Sequence, residues 1–258
     1  MPLPSINADL WILSRTTLAL LVFFRTAGFF LFLPLFGNAD TPKQIRFYCT
    51  VIFAFFVVSV SWEMPISIPE NLLRGALMLI AEFLIGFCMS AILFIFFSAM
   101  NMAGDIISRM AGLSLSAVLD PGTGDQIPVL SQFLFLLGVV VFLVAGGFET
   151  LLTGYIDSFQ KIPPGSLFSA REMFQSILDI LNLSTVLAVR VAAPVILAAL
   201  SVFLVVGMIG RAVPQLNVMI LSFNVNVFLA LAVLASGLGF ALRYFQDSIP
   251  LLWTYLFK

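Results

Sequence analysis

From Phe83 to Gly104 the chain reads FLIGFCMSAILFIFFSAMNMAG, without one charged side chain. A helix of about 20 apolar residues covers a hydrocarbon core of about 30 Å, and this run is long enough to do so. A second uncharged run, Gln126–Phe148, has the same character. Strands of a transmembrane barrel would alternate apolar and polar residues over about ten positions, and neither run alternates. In lipid the α-helix also satisfies its own backbone hydrogen bonds. The two runs predict an all-α integral membrane protein.

The first run belongs to an apolar stretch that begins at Gly75 and ends at Gly104, and outward from the two, four more qualify or come close: Leu10–Phe36, Phe47–Trp62, Ile180–Gly210 and Val218–Leu242. The second of these four is short, and the first and third contain arginines. About six apolar helical segments, paired as kinked hairpins in one membrane domain over residues 1–258, are therefore expected. The composition agrees, with 61% hydrophobic and 10% charged residues against about 45–50% and about 25% in soluble domains. The connecting pieces carry turn chemistry: Lys43 and Arg46 in 37–46, Pro65 and Pro69 in 63–74, DPGTGD at 120–125, and Pro163-Pro164-Gly165 in 158–172. Two further segments read as amphipathic or interfacial pieces of their own, Asp105–Leu119 and Arg243–Lys258.

Several function classes drop out. The chain has no His, which excludes histidine acid–base catalysis and histidine metal sites. No phosphate-cradling, zinc-protease or serine-hydrolase motif is present, so no catalytic, cofactor-binding or metal site is expected. A net charge of −1 without a basic run gives no case for nucleic acid. Cys49 and Cys88 lie in apolar stretches and read as inert thiols. Asp9, Arg15 and Arg25 interrupt the pattern of a cleaved signal peptide, so the N-terminus is expected to be retained. Orientation is not legible: Lys43, Arg46, Arg109 and Arg211 stand against Arg74, Lys161, Arg171, Arg243 and Lys258, which is too even for the positive-inside rule.

Charges at membrane depth are costly, about 2.5–3.5 kcal/mol each at a helix centre, and mark a function or a buried pair. Arg25, Glu82 and Arg190 are the candidates, expected to neutralise one another, to reach the interface or to meet a partner subunit. A substrate path is the sharper alternative. Arg211, Pro214, Gln215 and Asn217, in the stretch GRAVPQLN, read as a helix-to-helix turn. Those amides, together with Asn224 and Asn226, need a turn, a polar interior or a partner. Small residues four apart, such as Ala188/Ala192, Ala232/Ser236 and Ala235/Gly239, favour close helix packing in lipid. A secondary transporter or small-solute channel shares the hydrophobicity. Coupled transport, however, calls for more intramembrane carboxylates and two similar halves, and no internal repeat is visible.

Four patches, in order along nearly the whole chain, carry a family resemblance. They are RTAGFFLFLPLFG from Arg25 with PKQIR ending at Arg46; EFLIG from Glu82, leading through Ala103-Gly104-Asp105; GLSLSAVLDPGTGDQIPVLSQF at 112–133; and FLVAGGF with SFQKIPPG, then AAPVI and GRAVPQLNV. The chain resembles the family of flagellar biosynthesis protein FliR, the R subunit of the flagellar export gate, and its type III secretion counterparts. The family often has His where Phe148 stands and Pro where Asn224 stands, departures that concern local packing. DPGTGDQIP is more similar to the flagellar branch than to the virulence branch.

The resemblance implies a non-enzymatic, multi-pass subunit of the bacterial inner membrane at the flagellar basal body. It implies assembly with the P and Q subunits in a helical heteromer above the lipid plane, contact with the B subunit, and unfolded export substrates passing through. It also implies that residues 1–172 are P-like and 173–258 a Q-like hairpin. Within this frame Leu113, Leu115, Val118, Leu119, Asp120, Pro121, Gly122 and Gly124 are expected to form a gate or plug loop. Gly122 and Gly124 supply backbone freedom, Pro121 stops the preceding helix, and an apolar constriction closes a pore by dewetting.

Overall fold

The computed structural model describes residues 8–31, 33–34, 42–60, 71–113, 129–165, 170–212 and 218–256. Among the described residues there are seven helices and no strand: α1 (Ala8–Leu31), α2 (Lys43–Val60), α3 (Leu72–Met110), α4 (Val129–Val144), α5 (Gly147–Lys161), α6 (Ala170–Ala212) and α7 (Val218–Leu256). Four of them, α1, α3, α6 and α7, are long and apolar enough to cross a membrane, and the broken pair α4/α5 makes up to five spans. The chain divides into two compact units, one of residues 1–94, 148–180 and 252–258, the other of residues 95–147 and 181–251.

Three element boundaries differ from the sequence expectation, each for a local reason. Asp105–Met110 is no separate amphipathic piece but the last turns of α3. Nothing between Gly104 and Asp105 breaks the helix, and Asp105 pairs with Arg109 one turn on at 2.9 Å. The helix ends instead at Gly112, whose φ of 81° closes a Schellman cap: Leu113 N–H donates to Ser108 C=O and Gly112 N–H to Arg109 C=O, both at 3.0 Å. Likewise α7 runs through Arg243 to Leu256 without a break, carrying Pro250 inside. The reverse happens within Gln126–Phe148. There the apolar run is interrupted at Ala145–Gly146, with Gly146 at φ 72°, a left-handed conformation that a Cβ disfavours.

In the first unit α1 and α3 approach until backbone meets backbone. A Cβ on Gly28 would strike the carbonyl of Phe83, and a Cβ on Gly86 would strike the carbonyl of Arg25. Ser90 bridges the crossing, its hydroxyl donating to Gly28 C=O at 3.3 Å and to Phe87 C=O at 2.9 Å. In the same unit Phe29 and Phe53 both pack against the Tyr155 ring in tilted arrangements, with ring centroids 4.6 Å apart for Phe29–Tyr155 and 5.5 Å for Phe53–Tyr155. In the second unit the core is a phenylalanine cluster. Phe96 meets Phe245 at 4.9 Å, and Phe97 meets Phe142 at 5.1 Å. Gly138 leaves the room that Met100 and Phe245 fill, and Gly104 lies against the backbone of Ser131.

Candidate functional site

Arg25 lies one turn before Gly28 on α1, and Glu82 one turn before Gly86 on α3, so the glycine crossing carries both side chains into the core together. Arg25 Nε donates to Glu82 Oε2, and the two side chains are 0% and 1% exposed. Such burial costs desolvation free energy that a pair recovers only if its other polar atoms are satisfied. They are. Arg25 Nη1 donates to Ser158 Oγ at 3.4 Å and Nη2 to the Ile162 carbonyl at 3.0 Å, while its guanidinium carbon lies 4.2 Å from the Phe159 ring centre. Glu82 Oε1 accepts the N–H of Gly165 at 2.8 Å.

This arrangement clamps the turn that follows α5. Neither Pro163 nor Pro164 has a backbone N–H, so Gly165 supplies the first donor after Ile162, and its φ of 82° directs the chain onward. Arg25 takes the acceptor at one end of the turn and Glu82 the donor at the other. Beside them Thr26 donates to Val22 C=O at 2.7 Å and accepts from the Tyr155 hydroxyl at 2.9 Å. Tyr155, Ser158 and Phe159 present one buried face of α5, while Glu149, Thr153, Asp157 and Gln160 are exposed. The cluster neutralises charge and pins backbone, and it offers no free nucleophile or base.

The other predicted residues fall elsewhere. Arg190 does not join the pair: in the second unit its Nη1 donates to Tyr244 Oη, and its guanidinium lies 5.2 Å from the Tyr244 ring centre. Arg211 is exposed in the last turn of α6. Asn224 is exposed and Asn226 buried, with Asn226 Oδ1 lacking a hydrogen-bond partner among the described residues. Leu113 forms the last residue of the α3 cap. Leu115, Val118, Leu119, Asp120, Pro121, Gly122 and Gly124, and also Pro214, Gln215 and Asn217, lie outside the described residues.

Thr26, Tyr155, Ser158 and Phe159 were not singled out from the sequence, and Gly165 was read only as part of a turn. The spacing of Tyr155, Ser158 and Phe159 at i, i+3 and i+4, which marks one helix face, was the available signal. Three of the four patches quoted above, those containing Arg25, Glu82 and Pro163-Pro164-Gly165, converge on this cluster.

The chain matches, over residues 16–251, the family described as bacterial export proteins, family 1. It is 30% identical over 220 residues to the flagellar biosynthetic protein FliR of Bacillus subtilis, with 83% of each chain covered. Identity to FliR of Aquifex aeolicus is 31% over 235 residues, 88% of this chain and 89% of that protein. The surface presentation of antigens protein SpaR of Shigella flexneri is 29% identical over 214 residues, 83% of this chain and 82% of its own. Because the match takes in the buried Arg25–Glu82 clamp as well as the phenylalanine cluster of the second unit, the chain belongs to the bacterial export proteins of family 1.

Proposed function

We propose that the chain is a non-enzymatic membrane subunit of the flagellar protein export gate, in the bacterial inner membrane at the flagellar basal body. With P-type and Q-type subunits it forms the channel through which unfolded export substrates pass, and the B subunit contacts it. The observation that carries this reading is the match to flagellar relatives at 30–31% identity through more than four fifths of the chain. The helix lengths support it: α3 has 39 residues and α6 has 43, about 58 and 64 Å at 1.5 Å per residue, well beyond a hydrocarbon core of about 30 Å. Helices of that length suit an assembly that rises beyond the lipid. Residues 1–172 act as its P-like part, residues 173–258 as its Q-like hairpin, and the loop from Leu113 to Gly124 as the plug. Neither a nucleic acid nor a cofactor has a role in this reading.

The test is purification of the chain from cells that express it with its neighbours. A stable heteromer with other export proteins is expected. Uptake of a small solute into liposomes by the isolated chain, with no such heteromer, overturns the proposal in favour of a carrier.

A further inference from the structure

On the α6–α7 hairpin of the second unit one charge stands by itself. Arg190 is the only charged residue between Asp179 and Arg211 on α6, and α7 carries none from Val218 to Leu242. Arg190 is exposed, and the exposed surface on both sides of it is apolar. Val186 and Val189 precede it on α6, Leu197 and Leu204 follow, and Phe240 stands one turn from Tyr244 on α7, all of them exposed. An arginine that anchors a helix at headgroups marks the edge of an apolar surface, whereas this one lies inside it.

The Arg190 side chain is nevertheless held in one place. Its Nη1 donates to Tyr244 Oη, and the guanidinium lies 5.2 Å from the Tyr244 ring centre, within cation–π range. Phe240 backs the Tyr244 ring, the two planes 17° apart and the centroids 6.3 Å apart. Nε and Nη2 form the other edge of the guanidinium, the pair of parallel donors that a carboxylate takes bidentately. Among the described residues neither has an acceptor, and no carboxylate pairs with Arg190. Asp179 lies eleven residues back along α6, a rise of about 16 Å, and accepts from Gln175 Nε2 at 3.3 Å. Near Tyr244 on α7, Arg243 and Asp247 are both exposed and of opposite sign, so the net charge here is that of Arg190.

When a partner covers an apolar face, a cation within it loses its water, and one hydroxyl and one ring do not replace that hydration. A carboxylate brought by the partner does, and it fits the free edge of the guanidinium. We infer that Arg190, braced by Tyr244, is the receptor for an aspartate or glutamate on an apolar helix of another subunit that packs along this face. This contact rests on the assembly with partner subunits proposed above, and gives that assembly a recognition chemistry.

The test uses the complex in membranes of cells that express the chain with its neighbours. Arg190→Lys keeps the charge and supplies an amine. Dicyclohexylcarbodiimide, which dissolves in apolar interiors, reacts with a carboxyl group to give an O-acylisourea. The amine then displaces dicyclohexylurea, and an amide joins the two side chains. Peptide mass spectrometry is expected to find position 190 joined to an aspartate or glutamate of another polypeptide, with no such link in wild type. An assembled variant without the link, or a link to Asp179 or Asp247 of the same chain, overturns the inference and leaves the proposed function standing. Should Arg190→Lys not assemble, a photoreactive benzoylphenylalanine in place of Phe240 decides with Arg190 intact. Adducts are then expected on an acid-bearing helix of another subunit, and adducts confined to lipid, to this chain or to a segment without an acid overturn the inference. If the wild-type chain yields no heteromer at all, the inference falls together with the proposed function.

Discussion

Glu82 accepts the backbone N–H of Gly165 at 2.8 Å across 83 residues of sequence, with the same carboxylate that neutralises Arg25. One acid thus ties the α1–α3 crossing to the turn leaving α5. Removing one partner of such a buried pair strands the other charge, at a cost of roughly 3–5 kcal/mol. Arg25→Leu and Glu82→Leu are each expected to deplete the chain from membranes. The double variant is expected to be less damaging than the two effects added together, since it strands no charge. Immunoblotting of membrane fractions for the two singles and the double checks this, and an additive cycle would show that the charges do not interact.

The glycine crossing makes a separate prediction. Gly28→Ala or Gly86→Ala drives a methyl group into a facing carbonyl, and backbone offers no rotamer by which to escape. A loss of about 1–3 kcal/mol is expected, seen as a lower aggregation temperature of the detergent-extracted protein. Gly239→Ala is the control, because nothing stands within 4 Å of its added Cβ. Equal losses at Gly86 and Gly239 would contradict the crossing.

At Gly146 the constraint is conformational, since an added Cβ meets nothing within 4 Å while φ is 72°. Gly146→Asn is expected to be tolerated and Gly146→Val to cost about 1–2 kcal/mol, following the left-handed preferences of the two residues. Thermal aggregation profiles of the two variants separate them. A Val variant as stable as wild type would mean that the break between α4 and α5 does not need this backbone.

For the proposed plug, deletion of Leu115–Leu119, or replacement of Leu115 and Val118 by Ser, is expected to leave assembly intact while the membrane becomes permeable to ions and small solutes. Conductance of the reconstituted complex reads this directly. Mutant complexes as tight as wild type would remove the plug from the proposed function.

Arg211→Ala and Pro214→Leu are expected to lower the yield of assembled complex without changing which substrates it exports, because the stretch GRAVPQLN reads in the sequence as a helix-to-helix turn. Pull-down yield set beside the pattern of secreted proteins distinguishes the two effects. Intact complexes with altered secretion would reverse the assignment.

The class of this protein was decided by sequence alone, because an uncharged run such as Phe83–Gly104 has no stable place in water and only one self-satisfied backbone in lipid. Helix ends were legible where a Pro or Gly lay between apolar runs, as at Pro163-Pro164-Gly165. They were not legible at Asp105 or Arg243, where polarity changes but nothing stops the i to i−4 ladder, nor at Gly146, whose break lies inside an apolar run and depends on the sign of φ. The sequence also marked Arg25 and Glu82 as charges needing partners. Which partners they took is long-range information: the pairing depends on two glycines letting α1 and α3 touch, and on α5 returning Ser158, Ile162 and Gly165 to the same point. Arg190, equally conspicuous in the sequence, met a tyrosine at an exposed position instead, because the register of α6 on α7 placed Tyr244 beside it, and among the described residues no carboxylate pairs with it.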